Sequence, residues 1–555
     1  MANGGLEVMQ FTFNLVDDPW IRTVDGDGRL RLRSLREAFR DAADCDLVLA
    51  DPLEFVALVR QVLLPVVIDA LGYPRTREEW AERLAADAFD GARIEAYLEE
   101  HRRRFDLFDP VAPFGQVAGL TTTSAENPPA QVLLPAVPTG NNVPLFGTVT
   151  DAEPVALSPA EAARAMLVTQ CWDTAGIKTG TVGDPATKAG KTYGNQTGSA
   201  GGLGVLIPWS TTLHQGLTLN LGVVPGGVRH DDAPPWRRPP ATPAWSVRVP
   251  TGRIDLLTWP SRRIRLLPGE GEGEPTVTRA IVAAGDRIAA YPQDLEPHTM
   301  WRRDKNETAW RPLRHRPGRA LWQGLRGLLA LRAAEEPSGA AVQTSNLVQE
   351  IADLIADDRF PDGLRLDVIA VGVEYGNQSA VIENVITDRL PLPVGALADD
   401  PTFRELLLGM ADTAAKLHRA VDELATGLAL AAGYQPARAG QGRSAGGSAP
   451  PSVSGAQIIG RLDPLVRQAL EVLRGDPDHA SEVWASWRSA ARQVALEVGE
   501  SLLRSAPPGS FWRRPPPDAT PGTEPLTAAA AECRFRQRVN TFTGWQAPAG
   551  EEEGA

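Results

Sequence analysis

The residues nearest to a known chemical device are Gly190-Lys191-Thr192. A phosphate-binding P-loop needs the pattern G-x-x-x-x-G-K-[ST], entered by a strand and left by a helix. The first glycine of that pattern falls at position 185, which is Pro185, and no strand or helix signal flanks the loop. A nucleotide-dependent enzyme built on this loop is therefore the alternative reading. The seven histidines (101, 214, 230, 298, 315, 418 and 479) have no HxH or HxxxH spacing. Asp17-Asp18 and Asp231-Asp232 are carboxylate pairs without a neighbouring base. Cys45, Cys171 and Cys533 are too widely spaced for a CxxC site or a disulfide framework. No catalytic centre, metal site or cofactor is expected.

Binding chemistry is better represented. Tyr-Gly-Asn-Gln occurs twice, at Tyr193–Gln196 and at Tyr375–Gln378. Gly and Asn suit turns, and the carboxamides of Asn and Gln offer both a donor and an acceptor. The chain has only five lysines (178, 188, 191, 305 and 416) among 56 basic residues, and three of them fall within 178–191. Glycine accompanies them at 176, 180, 183, 190, 194, 198, 201, 202 and 204. Such a loop can bring backbone N–H groups close to phosphates, with lysines as flexible point charges. Residues 301–326 hold eight basic side chains against Asp304 and Glu307, interleaved with Trp301, Trp310 and Trp322. That segment reads either as a backbone-tracking surface or as a solvated helix face.

The elements that must position these residues follow from periodicity. Val368–Val373 and Val381–Thr387 are β-branched runs around Tyr375-Gly376-Asn377-Gln378-Ser379, which predicts a hairpin with a polar tip. Phe11–Arg22 reads as a strand and a turn. Pro52–Gly72 has helical apolar spacing. Ser158-Pro159-Ala160-Glu161 is a helix start, with Ser as cap, Pro at the first position and Glu at the third, and the helix should end near Trp172. Strand-like runs follow at Val205–Ser210 and Leu217–Val224. After Leu390, apolar residues 407, 410, 414, 417, 421, 424 and 428 repeat at helical spacing. Helical patterns resume at Gln457–Arg474, Ala480–Arg504 and Leu526–Thr541, beyond a Gly/Ser/Pro-rich connection at Gln435–Gly455.

The expected fold class is α+β. A large mixed α/β N-terminal domain (1–391) would carry the loops, followed by a C-terminal four-helix bundle (392–555) with a disordered tail. A chain of 555 residues with 43% hydrophobic content can bury a sizeable core. The net charge of −13 argues against indiscriminate nucleic-acid binding, but not against a local basic face. No apolar run approaches a membrane span, and the start lacks a secretory pattern, so a reducing cytoplasm is the expected compartment.

Several segments, in this order, resemble the CasA family, the large subunit of the type I-E CRISPR surveillance complex, Cascade. They are FNLVDDPWIR at 13–22, FDPVAPFGQV at 108–117, the Gly-rich loop followed by LIPWSTT at 206–212, GNQS at 376–379 and the closing helices. The resemblance implies a non-catalytic protein that recognises the short PAM in duplex DNA, helps to start strand separation (the R-loop) and recruits a helicase-nuclease. Its implied partners are the crRNA 5′ handle, double-stranded target DNA with its displaced strand, and the backbone and small Cascade subunits, with no membrane. It places a crRNA-handle and docking loop at Asn141, Asn142, Leu145, Phe146 and Gly147. The family usually carries Phe at the position matching Leu145, and Phe146 is one residue on. PAM contacts would come from Lys191, Thr192, Tyr193, Gly194 and Gly198, and a duplex-opening wedge from Asn377, Gln378 and Ser379. The family's PAM-contacting lysine hairpin falls in Thr276–Tyr291; no lysine occurs there, so Arg279 or Arg287 is the candidate. Some members carry a Cys cluster near Gly269–Thr276; this chain has none, so no zinc is implied. A scaffold without direct DNA contact is a further alternative.

Overall fold

In the computed structural model the described residues are 11–124, 126–135, 155–269, 276–332, 334–335, 339–398, 401–434, 453–475, 479–512 and 527–546. They divide into two compact units, Met1–Pro317 with Ala330–Arg389, and Gly318–Leu329 with Leu390–Ala555. The short piece Gly318–Leu329 thus joins the later part of the chain, although the sequence places it in the first 391 residues. The docking-loop residues Asn141, Asn142, Leu145, Phe146 and Gly147 lie outside the described residues, as do most of Gln435–Gly455 and the tail.

The first unit mixes short sheets and helices. Its opening sheet is antiparallel, in the order Leu30–Arg33, Ile21–Asp25, Cys45–Leu47. Of the strand and turn expected over Phe11–Arg22, the turn is present at residues 15–18, but the strand that should precede it is not, and the first strand begins only at Ile21. The Asp18 carboxylate accepts from the Asn14 backbone N–H (2.6 Å) and the Asn14 carboxamide accepts from Val16 N–H (3.1 Å), which closes that turn. Pro52–Leu71 is helical throughout, with a π-helical turn at Val59–Leu63 ahead of Pro65. Proline removes one backbone donor, and a widened turn accommodates the loss.

That turn aims Arg60 into the interior. Its guanidinium makes a two-pronged pair with Glu296 (2.8 Å twice) and reaches His298 Nδ1 at 3.0 Å, with all three side chains buried. The Asn220 amide nitrogen already donates to the carbonyls of Pro208 and Gly216, so its oxygen accepts from His298 Nε2 at 2.9 Å. His298 is therefore the neutral Nε2–H tautomer. Burial first, then the Arg60 charge, hold its pKa well below the ordinary value.

Two sheets carry the regions of interest. In the first, Ile382–Pro391, Asp367–Tyr375 and Val205–Trp209 lie side by side, with Asp367 opposite Trp209 and Val371 opposite Val205 in the antiparallel inner pair. The second is the antiparallel hairpin Arg262–Pro268 with Val277–Ala284, whose register shifts at Leu267/Pro268. Leu217–Val224 is not a strand. Thr212 caps a helix over Leu213–Leu219, accepting from Gln215 N–H, and a turn follows.

The second unit holds long helices at Pro401–Ala432, Val453–Gly475, Ala480–Arg504 and Ala528–Thr543. The first packs against each of the other three. The seam residues 407, 410, 414, 417, 421, 424 and 428 are all buried along it. Gly499 is needed for close packing, because a Cβ there would lie 2.3 Å from the Phe535 ring.

Candidate nucleic-acid interface

The loop over residues 173–204 is built on the end of a helix. Pro159–Trp172 starts with the expected capping box: Ser158 Oγ accepts from Glu161 N–H and the Glu161 carboxylate accepts from Ser158 N–H. At its other end the last carbonyls have no partner within the helix. The loop returns to supply them. Gly198 N–H donates to Asp173 O (2.8 Å), Ser199 to Gln170 O (3.0 Å) and Ala200 to Cys171 O (2.9 Å). A Cβ on Gly198 would lie 2.3 Å from the Cys171 backbone, so only glycine allows this approach.

Inside the loop, Lys178–Thr179 pairs antiparallel with Lys191–Thr192. Lys188 and Lys191 exchange two backbone hydrogen bonds (2.8 and 3.0 Å) around Ala189 and Gly190, both at positive φ (48° and 74°). This is a two-residue hairpin turn with both central residues left-handed. Gly190-Lys191-Thr192 therefore forms a turn and a strand, not a helix entry. The Thr192 hydroxyl is buried and donates to Asp184 at 3.0 Å.

Both ends of the loop are fixed by one charged cluster. Asp173 lies 2.6 Å from the Lys178 ammonium and accepts a charge-assisted hydrogen bond from Arg262. Burial would push the Asp173 carboxyl up, but the two cations hold it down at about 2. The Arg262 Nη2 also donates to the carbonyls of Thr174 and Gln196, each at 2.8 Å. Lys178 is thus not a flexible point charge, because a buried carboxylate claims it. Lys188 and Lys191 remain exposed.

The hairpin tip is tied to the same loop. Tyr375 OH donates to Trp172 O (2.7 Å), and Ala175 N–H donates to Ser379 O (2.9 Å). Asn377–Ser379 form a single 3-10 turn in which Gln378 and Ser379 adopt φ of 55° and 53°. The side chains of Asn377 and Gln378 are exposed, and neither carboxamide has a hydrogen-bond partner among the described residues. A left-handed conformation costs a non-glycine residue roughly 1–2 kcal/mol, so the tip is held in a shape its own residues do not prefer.

The two copies of Tyr-Gly-Asn-Gln have opposite fates. In the first, Asn195 is buried and donates to Thr192 O (2.8 Å) and Gly176 O (3.2 Å), while Gln196 donates to Ile288 O (3.1 Å). In the second, the amides point outward. Among the loop candidates, Lys191, Tyr193 and Gly194 face solvent, whereas Thr192 and Gly198 are interior and support the loop.

Arg287 belongs with the loop. It donates to Tyr193 O at 2.7 Å and lies 3.9 Å above the Trp245 ring. Burial and the nearby Arg262 push its pKa down. Arg279 is elsewhere, exposed on the Val277–Ala284 strand, where it donates to Asn127 O. Thr276–Tyr291 is therefore not one hairpin. It comprises that strand, a connection at Gly285-Asp286 and the short strand Arg287–Ile288, which pairs in parallel with Val247–Arg248.

The basic, Trp-rich segment also differs from expectation. Only its end is helical: Trp301–Arg303 and Arg311–Pro312 form a small antiparallel pair, and a 3-10 turn at Leu321–Gly324 leads into a short helix at Leu325–Leu328. Trp301 and Trp322 are buried, and Arg311 pairs with Glu307 at 2.6 Å. Sequence reasoning missed Asp173, Arg262, Asp184 and Tyr291. The last donates to Ser199 O at 2.8 Å. The one signal available was Arg262-Arg263 inside an apolar strand pattern, because a buried arginine requires a partner. Among the described residues no group of three or more His, Cys, Asp or Glu could hold a metal ion. No helix there is long and apolar enough to cross a membrane.

Comparison with known proteins places this geometry in a wider set. A family profile described as CRISPR-associated protein Cse1 matches residues 14–498. The CRISPR-associated protein CasA/Cse1 of Thermus thermophilus is 30% identical over 523 residues, covering 89% of this chain and 92% of its own. The crystal structure of Thermobifida fusca Cse1 superposes with a TM-score of 0.83 at 30% identity, over 96% of this chain and 98% of that one. A chain of a CRISPR RNA-guided surveillance complex shares the fold with a TM-score of 0.62 at 16% identity, over 95% of this chain and 99% of its own.

Proposed function

The chain belongs to the CRISPR-associated protein Cse1 family, and from that premise we propose that it is the non-catalytic large subunit of a crRNA-guided surveillance complex. In this reading it recognises the PAM in duplex DNA, nucleates strand separation and recruits the helicase-nuclease. Its partners are the crRNA handle, the target duplex with its displaced strand, and the backbone and small subunits. The residues at 141–147 would dock onto the crRNA handle. The long helices of the second unit would form a four-helix bundle that guides partners and the displaced strand.

The observation that carries the DNA-opening role is the tip at Asn377-Gln378. Two uncommitted carboxamides stand on a left-handed turn whose backbone is hydrogen-bonded to the loop bearing Lys191. Strain held in place at an exposed polar tip points to a function of the tip. Lys191 would meet the phosphate backbone, with Tyr193 and the Gly194 backbone beside it. Carboxamides can read the degenerate acceptor pattern of the minor groove. Gln378 would then enter beside the PAM and stabilise the first unpaired step. Breaking one stack costs roughly 1–2 kcal/mol, which a few such contacts offset. Arg287, committed to Tyr193 O and Trp245, shapes the loop from behind.

A photocrosslinking residue at position 378 in the assembled complex tests this. Crosslinks should concentrate on the PAM-proximal base pairs. Crosslinks only to protein subunits would favour a scaffold without DNA contact. ATP hydrolysis abolished by Lys191→Ala would favour the nucleotide-dependent enzyme.

A further inference from the structure

Residues 313–316 follow the small antiparallel pair of the basic, Trp-rich segment and pack against both elements of the candidate interface. Leu313 N–H donates to Met300 O at 2.8 Å, which holds the stretch beside Trp301–Arg303. A Cβ on Gly204, at the close of the lysine loop, would collide with the Leu313 carbonyl, so only glycine permits this crossing. A Cβ on Gly372, in the strand Asp367–Tyr375 that leads to the tip, would lie 3.3 Å from the His315 ring. His315 is turned inward, and its Nε2–H donates to Val205 O at 3.0 Å.

Arg314 and Arg316 flank that anchor, and both are exposed. Arg314 Nε donates to Gly202 O at 3.2 Å. The neighbouring Gly201 lies against the hydroxyl of Tyr375, where the tip begins. Both Nη groups of Arg314 are without a partner among the described residues, and Arg316 has no hydrogen bond or ion pair there. The carboxylates of the segment are already taken: Asp304 pairs with Arg302 at 3.2 Å and Glu307 with Arg311 at 2.6 Å. A solvated face would neutralise its cations in this way, and Arg314 and Arg316 are left out of it. A guanidinium carries a planar fork of donors that matches a phosphate.

We propose that Arg314 and Arg316 contact phosphates of the DNA that the tip engages, a second basic contact beside Lys191. The proposal rests on the reading of the loop and tip as the DNA-facing elements. The loop then has a cation at its hairpin, Lys191, and another at its close, where Arg314 holds Gly202. The tip is tied to the same close through Tyr375 and Gly201. Phosphate contacts carry no sequence information, so these arginines add affinity and register rather than PAM preference.

Salt-dependent duplex binding by the assembled complex tests the proposal. Arg316→Ala should lower the log K against log[salt] slope by about 0.9, and Arg314→Ala with Arg316→Ala by about 1.8. Arg316 holds no described residue in place, so its removal leaves the fold intact. Affinity should fall by the same factor for duplexes with and without the PAM. Arg314→Lys with Arg316→Lys should keep the slope; a slope lost there as well would assign the pair a structural role and overturn the proposal. A fork with unpaired PAM-proximal bases separates the sources. A change on intact duplex assigns the contact to paired DNA, and a change on the fork alone assigns it to an opened strand. An unchanged slope on both substrates would overturn the inference, as would loss of another subunit from the purified variant complex in place of a slope change. The crosslink at position 378 is a separate readout. A normal crosslink with an unchanged slope sinks this inference alone, whereas a lowered slope with crosslinks only to protein keeps the arginine contact and sinks the wedge.

Discussion

Asp173 carries more of the candidate interface than any residue that faces solvent. It joins Lys178, Arg262 and, through its carbonyl, Gly198. Removing Arg262 leaves that buried carboxylate short of a partner, which typically costs about 3–5 kcal/mol. Arg262→Ala should therefore lower stability and expose residues 173–204 to protease, whereas exposed Arg279→Ala should do neither. The pH dependence has a fixed sign. The folded-state pKa of Asp173 lies below its ordinary value of 3.8, at about 2. Its contribution is complete above pH 3.8 and is lost as pH falls toward about 2. Asp173→Asn should thus be destabilising at neutral pH, with the deficit shrinking on acidification in chemical denaturation.

Asp46 has the opposite sign. Burial pushes its pKa up to about 6, against hydrogen bonds from Trp209 and the Leu47 N–H. The folded form holds this proton more tightly, so stability falls as pH rises from 3.8 through about 6. Both hydrogen bonds go to Oδ1 (2.9 and 2.8 Å), an acceptor that asparagine retains. Asp46→Asn should gain roughly 1–3 kcal/mol at pH 7, with the gain disappearing near pH 4. An equal effect at both values would contradict the assignment. None of these roles was legible in the sequence, because the partners are distant: Asp173 and Arg262 are 89 positions apart.

At the scale of elements, the local rules read well and the loop did not. The capping box at Ser158, the hairpin around Tyr375 and the apolar seam after Leu407 each follow from patterns spanning a few turns or residues. The lysine cluster suggested flexible point charges, yet folding back onto a helix end paired half-buried Lys178 with Asp173 and left Lys188 and Lys191 exposed. The same return made one Tyr-Gly-Asn-Gln internal and left the other outward. Tyr375 and Gly201 make this coupling testable, since a Cβ at Gly201 would lie 2.4 Å from the Tyr375 hydroxyl. Tyr375→Phe removes one hydrogen bond, worth about 1 kcal/mol, and should speed amide exchange at Ala175 and Gly198–Gly201. Gly201→Ala should do so more strongly. Unchanged exchange in both would mean that the tip and the loop open independently.

At the scale of the whole molecule, a net charge of −13 requires the proposed DNA contact to run through a small basic region. Salt dependence counts the phosphates involved, and one lost contact lowers the log K against log[salt] slope by about 0.9. Lys191→Ala in the assembled complex should produce a drop of that order, while Lys416→Ala, on a helix of the second unit, should leave the slope unchanged. The most direct test compares duplex binding with R-loop formation in a complex carrying Asn377→Ala and Gln378→Ala together. The account predicts slower strand opening with nearly unchanged affinity for PAM-bearing duplex. Equal loss of both, or of neither, would contradict the wedge.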